Sequence, residues 1–286
     1  MKEGSYATYR TLLHKHLLPS FGDCTRITEA SLQDFVLEKL DYGYRLSSVQ
    51  LMVLVVRMIL RHGAEKGLCD NPAWSVRYPS GHANRPLKLF SMREQLLIYK
   101  SVCDNPSPRH LGIYIALSTG MRIGELCALH WADIDLEAGV VHVRGTISRI
   151  YLPGNDGPNT VLVKGSPKTP SSLREIPIAD SLYALLVPLA HGRSGADFVL
   201  TASPRPTEPR AYRNFFNSFQ DHLGIERKTF HALRHTFATR CIENGFDAKT
   251  VSELLGHASI KTTLDLYVHP GFDKKKACVN SISPVL

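Results

Sequence analysis

The segment Leu254–Pro270, LLGHASIKTTLDLYVHP, groups a histidine, a pair of threonines and a tyrosine close to the end of a 286-residue chain. The plain interpretation is a surface helix with a half-buried tyrosine, because tyrosines are commonly buried in part and Tyr267 is one of 11 in the chain. A reactive tyrosine is the alternative. The choice depends on what the other segments of the chain would bring to Tyr267.

Two arginines from distant segments could bind one phosphate together. In TGMRIGELCAL, Arg122 stands three residues before Glu125, so these side chains meet on one face of a helix; an ordinary exposed ion pair is the alternative. In HALRHTFATR, Arg234 stands three residues after His231. Guanidinium groups bind phosphate oxygens as a fork, and a tyrosine hydroxyl can attack a phosphate. Fixed cations can stabilise the transition state, so this chemistry needs no metal.

A zinc site is the competing interpretation of the same helix. His231 and His235 are four residues apart and could bind one metal ion, as in HExxH helices. Ala232 stands where the general-base glutamate would be, and no nearby carboxylate or cysteine pair completes a site. The sequence therefore predicts no metal site.

Charge and cysteine usage limit the class of protein. The net charge of +8 suits a polyanionic partner, although basic proteins without one are common. The six cysteines are scattered and form no CxxC pair, which argues against a zinc ribbon and a disulfide scaffold and favours a reducing cytoplasm. The N-terminus, MKEGSYATYR, lacks the apolar core of a signal peptide.

The first 80 residues have the pattern of a small all-α domain. Apolar residues at helical spacing in SYATYRTLLHKHLLPSFG predict a helix that ends near Pro19 and Gly22. Thr28 is the expected N-cap of a second helix, and a third helix should stop near Gly67. The stretch VQLMVLVVRMIL within this third helix is too short to cross a bilayer and contains two polar residues. It predicts a buried helix and no membrane role.

A polar and basic segment, RYPSGHANRPLKLFS, follows and predicts an extended linker. Its residues Arg85 and Lys88 could lie along a phosphate backbone. Solvated linkers are often basic too, so both interpretations stay open here.

The rest of the chain predicts a mixed, mostly helical domain. Helical segments surround two β-rich stretches, GVVHVRGTISRI and NTVLVKG…SLREIPI, which the turn-rich YLPGNDGP joins. The first stretch places Val141 and Val143 on one face of a strand, and His142 and Arg144 on the other. The sequence therefore predicts a mainly α protein with a small antiparallel β-sheet, divided into a helical domain (1–80), a linker (81–90) and an α+β domain (91–286).

The chain resembles the tyrosine recombinases, also called the phage integrase family, and within it the integrases of conjugative transposons and temperate phages. TGMRIGELCAL, HALRHTFAT and LLGHASIKTTLDLYVH match the family's boxes in order and spacing, and Lys168 lies in the expected hairpin tip. The resemblance extends from about Ser5 to about Lys274. It implies a core-binding (SAM-like) DNA-binding domain over 1–80 and a catalytic domain with a C-terminal tail over 91–286.

The resemblance assigns the reacting groups. Tyr267 would attack the scissile phosphate, forming a 3′-phosphotyrosyl bond and releasing a 5′-hydroxyl. Arg122 and Arg234 would hold that phosphate. Lys168 would act as the general acid toward the leaving 5′-oxygen.

The resemblance also assigns the supporting groups. His231 and His257 would hydrogen-bond the phosphate, and His231 could accept the tyrosine proton. Glu125 would brace the site as a carboxylate behind the arginines. His235 is expected to pack its helix rather than to act as a ligand.

The resemblance further implies double-stranded DNA as the partner and no ATP, metal or other cofactor. Four protomers would assemble on two duplexes, with a monomer or weak self-association in the absence of DNA and an accessory DNA-bending or excision factor as a further partner. The expected location is the bacterial cytoplasm, on the nucleoid when bound. The tail GFDKKKACVNSISPVL would dock on a neighbouring protomer or fray as a basic terminus. Many such integrases carry an extra N-terminal arm-binding domain, whereas here the helical pattern begins almost at Met1. A naturally short recombinase and a trimmed chain both stay open, so binding to arm-type sites is not assumed.

The function implied is a site-specific DNA recombinase that integrates or excises a mobile element. Chromosome dimer resolution and type IB topoisomerase-like relaxation are alternatives that use the same chemistry, and a non-catalytic DNA-binding relative is a third. The extended hairpin over residues 148–178 and the transposon-like boxes favour the mobile element. The intact set of site residues argues against loss of catalysis.

Overall fold

The structure is a computed structural model that describes residues 3–24, 26–70, 73–79, 87–151, 160–165, 173–268 and 272–282. The chain divides into two compact units, Met1–Pro86 with Ile150–Val161, and Leu87–Arg149 with Leu162–Leu286. By this division residues 150–161 cluster with the first unit, and the predicted domain boundaries stay predictions.

The first unit is helical. Thr28 caps its third helix, as predicted: its side chain accepts a 3.1 Å hydrogen bond from the backbone N–H of Ser31. The first helical run passes through Pro19 and ends at Phe21, directly before Gly22, close to where the sequence predicts its end. The elements are α1 (Glu3–Leu12), a π-helical turn (Leu13–Leu17), α2 (Leu18–Phe21), α3 (Glu29–Asp41) and α4 (Leu46–Glu65).

Helix α4 supplies much of the apolar core of the first unit. Val49, Met52, Val53 and Val56 on one of its faces are buried beside Leu32 of α3. By length and composition this helix could also cross a membrane, and no other described helix meets both criteria. Core helices of globular domains pass the same test, so its packed face is the more informative observation.

The second unit surrounds a small sheet with helices. Its helices are α5 (Met92–Asp104), α6 (Pro108–Thr119), α7 (Ile123–Cys127), α8 (Asp180–Ala190), α9 (Pro209–His222), α10 (His231–Glu243), α11 (Ala248–Leu255), α12 (Ile260–Tyr267) and α13 (Phe272–Ile282). The strands are β1 (Ile134–Asp135), β2 (Val140–Val143), β3 (Thr146–Tyr151), β4 (Thr160–Gly165) and β5 (Arg174–Pro177). Residues 150–151 of β3 and 160–161 of β4 belong to the first unit. The predicted mainly α fold with a small antiparallel sheet is confirmed.

The strands form two sheets. A three-stranded antiparallel sheet has the order β1-β2-β5, with Val141 opposite Ile176 and Val143 opposite Arg174, and β3 pairs with β4 in a second sheet. The predicted faces of β2 are confirmed, because Val141 and Val143 are buried whereas His142 is only half-buried. This register brings Arg174 alongside the packed interior of the unit.

The core of the second unit fixes the helices that carry the predicted site. Helix α6, with Ile113, Ile115 and Ala116 fully buried, packs against α10. Helix α10 in turn packs against α11 and α12. The segments of the three sequence boxes therefore converge within this one unit.

Candidate active site

The first box turns sharply between α6 and α7 at Gly120. This residue ends α6 in the left-handed conformation with φ +66°, and a Cβ there would lie 2.7 Å from Phe237 and 2.8 Å from Leu255. Only glycine fits this position without displacing its neighbours. The turn places Arg122 at the N-cap of α7 and leaves the Gly120 carbonyl pointing toward α10.

Glu125 lies at the centre of a buried ion cluster. Its carboxylate accepts hydrogen bonds from Arg122 Nη1 at 2.8 Å, from the Arg122 backbone N–H at 3.0 Å and from Arg174 Nη2 at 2.9 Å. Burial opposes ionisation of Glu125, but Arg174 and Arg122 outweigh it and hold the pKa of the carboxyl below its ordinary value. With 5% of the Glu125 side chain exposed, the pair with Arg122 is not the exposed ion pair of the plain alternative.

Arg122 reaches from this cluster to the turn after α11. Its Nη1 and Nη2 donate to the carbonyls of Leu255 and Gly256 at 3.3 and 3.2 Å. Because 37% of its side chain remains exposed, the guanidinium can still meet a ligand from solvent. The first and third sequence boxes are thus joined by this one side chain.

Arg234 is the most deeply buried cation of the site. It is 1% exposed, and its Nη1 donates to the carbonyl of Gly120 at 2.9 Å. Its Nη2 is buried and has no hydrogen-bond partner among the described residues. Burial and the charge of Arg122 lower the pKa of Arg234, and the guanidinium stays protonated at neutral pH. A buried, unsatisfied N–H donor of this kind is costly and suits an anionic ligand.

Two histidines lie beside the arginines. His257 Nδ1 is 2.8 Å from Thr263 Oγ1, which fixes the ring and leaves Nε2 for another partner. Desolvation, followed by the charges of Arg234 and Arg122, lowers the pKa of His257 to about 4. His231 lies at the solvent edge of α10, and desolvation of its packed side lowers its pKa in the same direction. Both rings are neutral at pH 7.

Tyr267 ends α12 with 6% of its surface exposed. Its hydroxyl lies 2.7 Å from Nδ1 of His235, and the two rings are tilted by 54°. Burial raises the pKa of Tyr267, while Arg234 and Arg122 act in the opposite direction. The tyrosine is therefore a neutral phenol, held beside two cations and hydrogen-bonded to a histidine.

His235 makes a contact beyond its own helix, which the sequence did not predict. Its ring contacts the tyrosine hydroxyl directly, whereas His231 makes no hydrogen bond to Tyr267 within the described part of the chain. Positions 231 and 235 lie one helical turn apart, and their rings pack edge to face at 4.5 Å. Of the two, His235 is the ring that α12 approaches. The packing of α12 on α10 determines which histidine lies beside Tyr267, so the spacing of the two histidines in the sequence could not predict it.

Arg174 is the second residue that sequence reasoning missed. It is buried on β5, where its Nε donates to the carbonyl of Leu254 at 2.6 Å and its Nη2 to Glu125. A signal existed in the sequence, since an arginine inside an apolar strand pattern, SLREIPI, needs a partner when it is buried. It could not identify that partner, which lies 49 residues away in the chain.

Three of the predicted residues are not among those described above. Lys168 and Arg85 lie outside the described residues. Lys88 is on the surface of the second unit, paired with Glu226, and both side chains are mostly exposed. Such a surface pair is worth about 0–1 kcal/mol and would not prevent the lysine from meeting a phosphate.

Comparison with known proteins decides the family. The sequence profile of the phage integrase family matches residues 93–274, more than half of the chain. The chain belongs to the phage integrase family. It is 30% identical to tyrosine recombinase XerC of Xylella fastidiosa (strain 9a5c), over 88% of this chain and 79% of that protein. It is 25% identical to the ICEBs1 integrase of Bacillus subtilis (strain 168), over 100% of this chain and 79% of that one.

A solved structure is similar in fold. The Tn1549 transposon integrase in complex with a circular intermediate DNA has a TM-score of 0.79 and 21% identity, over 99% of this chain and 95% of that chain. With the family match, this likeness makes the chain a tyrosine recombinase, an enzyme that cleaves and rejoins DNA in site-specific recombination. The resemblance stated from the three sequence boxes is confirmed.

Proposed function

We propose that this recombinase cleaves DNA through Tyr267 at a phosphate held by Arg122 and Arg234, in the integration or excision of a mobile element. The observation that carries the site assignment is Arg234. This guanidinium is 1% exposed, one of its nitrogens has no hydrogen-bond partner within the described part of the chain, and it lies close enough to Tyr267 to alter the pKa of the tyrosine. A scissile phosphate would satisfy that donor and bring the phosphorus to the tyrosine.

The geometry supports a distinct role for each of the site residues. Arg122, anchored by Glu125, and Arg234, anchored by the Gly120 carbonyl, would bind the non-bridging oxygens. Neutral His257, with Nδ1 held by Thr263, would donate from Nε2. These fixed donors stabilise the charge that builds up on the oxygens, without reorganising during the reaction.

The attack would exchange one phosphoester for another. The Tyr267 oxygen bonds to phosphorus as the bond to the 5′-oxygen breaks, so the DNA 3′ end becomes joined to the protein. The leaving 5′-oxygen needs a proton, which we assign to Lys168 from the resemblance. The phosphotyrosine keeps the bond energy until another 5′-hydroxyl attacks it, so no ATP is required.

Double-stranded DNA is the proposed partner, and a tetramer is the proposed assembly. Exchange of two duplexes cuts four strands, and each protomer offers one Tyr267, so four protomers are needed. The net charge of +8, with Arg85 and Lys88 in the basic segment RYPSGHANRPLKLFS, favours a DNA duplex as the ligand. An accessory factor and a nucleoid location belong to this proposal as well.

A mobile element is favoured over chromosome dimer resolution by the relatives. The ICEBs1 integrase aligns over the whole chain, and the Tn1549 transposon integrase matches it in fold over 99% of its length. The XerC relative of Xylella fastidiosa keeps dimer resolution as the second candidate. A DNA site at the ends of an element, rather than one in a chromosome terminus region, would favour the first.

The experiment that tests the site assignment traps the covalent intermediate. A pool of randomised duplexes, each with a nick that lets the cleaved 5′ end diffuse away, is incubated with the protein, and SDS-resistant adducts are recovered and sequenced. The wild type should yield adducts on one common sequence, and Tyr267→Phe should yield none. Adducts on that sequence with Tyr267→Phe would exclude Tyr267 as the nucleophile.

A further inference from the structure

We propose that His235 is the proton acceptor for Tyr267 in strand cleavage, and the proton donor to the same oxygen in ligation. This proposal rests on the proposed function, because it assumes that Tyr267 is the nucleophile. It departs from the assignment that the resemblance implies, in which His231 takes the tyrosine proton. It concerns a histidine that the sequence predicts to be a packing residue.

The contact that carries the proposal is direct. His235 Nδ1 lies 2.7 Å from the Tyr267 hydroxyl, within the range for an O–H donor and a nitrogen acceptor. Within the described residues, the Tyr267 hydroxyl makes no other hydrogen bond. Helix α10 fixes the histidine and α12 fixes the tyrosine, so the acceptor and the donor come from two packed elements.

The surroundings of His235 keep its ring neutral. The charged and titratable groups around it are His231 and Arg234 on its own helix and Tyr267 on α12. Burial, followed by the charge of Arg234, lowers the pKa of His235 from its ordinary value. At pH 7 the ring is therefore a neutral imidazole, and with its hydrogen on Nε2 it presents a lone pair at Nδ1.

Tyr267 needs such an acceptor. Burial raises the pKa of its phenol, and the nearby arginines do not reverse that shift. A neutral phenol is a weak nucleophile, so its proton must leave as the bond to phosphorus forms. In the proposed step the proton moves from Oη to Nδ1, the Oη–P bond forms, and the bond from phosphorus to the 5′-oxygen breaks. The 5′-oxygen takes its own proton from the general acid on the other side of the phosphate.

Two substitutions separate proton transfer from positioning. His235→Asn keeps an acceptor near the place of Nδ1 but cannot take up a proton, and His235→Phe keeps the ring packing without an acceptor. Removing a general base costs typically 10²–10⁴-fold in rate, so both variants should cleave at least about 100-fold more slowly than the wild type. His222→Asn, a change at an exposed histidine on α9, is the matched control and should cleave at the wild-type rate.

The assay is single-turnover adduct formation on the nicked duplex identified from the randomised pool. Melting temperature and DNA affinity are measured for each variant, so that misfolding is separated from lost chemistry. The His235→Asn rate should rise steeply between pH 7 and 9.5, because direct ionisation of Tyr267 then replaces the lost base. A purely structural role would leave the shape of the pH profile unchanged.

A modified leaving group separates the two sides of the phosphate. A bridging sulfur in place of the 5′-oxygen leaves without a proton, so it should restore cleavage by Lys168→Ala and leave His235→Asn slow. Three results would each overturn the assignment of His235. They are cleavage by His235→Asn at the wild-type rate, cleavage by His235→Phe faster than the wild type, and rescue of His235→Asn by the bridging sulfur. Adducts formed by Tyr267→Phe would instead overturn the proposed function itself.

Discussion

Removing the carboxylate of Glu125 should destabilise the fold of the second unit. It is 5% exposed and bridges Arg122 and Arg174, the second of which has only 6% of its side chain exposed. In Glu125→Gln the amide oxygen can still accept one hydrogen bond, but the amide NH₂ would face a guanidinium donor. Arg122 and Arg174 then both lose the negative charge that Glu125 supplies.

The size of the loss follows from the two arginines. Breaking a buried ion pair by removing one partner costs about 3–5 kcal/mol of stability. Arg122 can turn to solvent, and Arg174 keeps its bond to the Leu254 carbonyl, so we expect the lower end, about 3 kcal/mol. For a unit of this size, that loss lowers the melting temperature by roughly 6–12 °C.

The assay is urea unfolding followed by tryptophan fluorescence. The chain has two tryptophans, one in each unit, so a Trp74→Phe background leaves the buried Trp131 to report on the second unit. Glu175→Gln, the neighbour of Arg174 with a 69% exposed carboxylate, is the matched control and should cost less than about 0.5 kcal/mol. A loss below about 1 kcal/mol for Glu125→Gln would refute the buried-cluster reasoning.

The pH dependence provides a second check on Glu125. Its pKa is lower in the folded protein than its ordinary value of 4.5, so the unfolded chain binds its proton first as the pH falls. The stability that Glu125 contributes is present above pH 4.5 and is lost as the pH falls through the folded pKa. Glu125→Gln should therefore lose stability relative to wild type at pH 7 and approach it in acid.

Two further predictions concern the turn and the phosphate clamp. Gly120→Ala should lower the free energy of unfolding by roughly 2–4 kcal/mol in the same urea assay, because the left-handed backbone is strained for alanine and the new Cβ overlaps Phe237 and Leu255. A loss below about 0.5 kcal/mol would contradict the geometry of that turn. Arg234→Ala should abolish adduct formation while leaving duplex affinity nearly intact, because most of the affinity comes from other phosphate contacts. The affinity of the wild type should fall with salt, by about 0.9 log units per phosphate contact for each tenfold rise in concentration. Gel-shift affinity that falls together with cleavage would make Arg234 a binding residue instead.

Periodicity and turn chemistry predict most of the fold of this chain. The cap at Thr28 and the two faces of β2 are local properties, and each follows from a few neighbouring residues. The association of residues 150–161 with the first unit is a tertiary property. No local pattern encodes it.

The sequence predicts those residues of the candidate site that belong to a recognisable motif. The resemblance names Arg122, Arg234 and Tyr267 because the spacing within each box is fixed. The contact of His235 with Tyr267 and the contact of Arg174 with Glu125 join residues 32 and 49 positions apart. Such pairs depend on how helices and strands pack, so only the folded structure reveals them.

The central claim is that Tyr267 becomes covalently joined to a DNA 3′ end. The most direct measurement digests the trapped adduct with trypsin and nuclease and locates the residual nucleotide by tandem mass spectrometry. The expected fragment runs from residue 262 to 274, TTLDLYVHPGFDK, and contains one tyrosine. The account predicts a nucleotide linked through phosphate to Tyr267 in this peptide. A nucleotide on any other residue, with the unmodified peptide recovered in full, would contradict it.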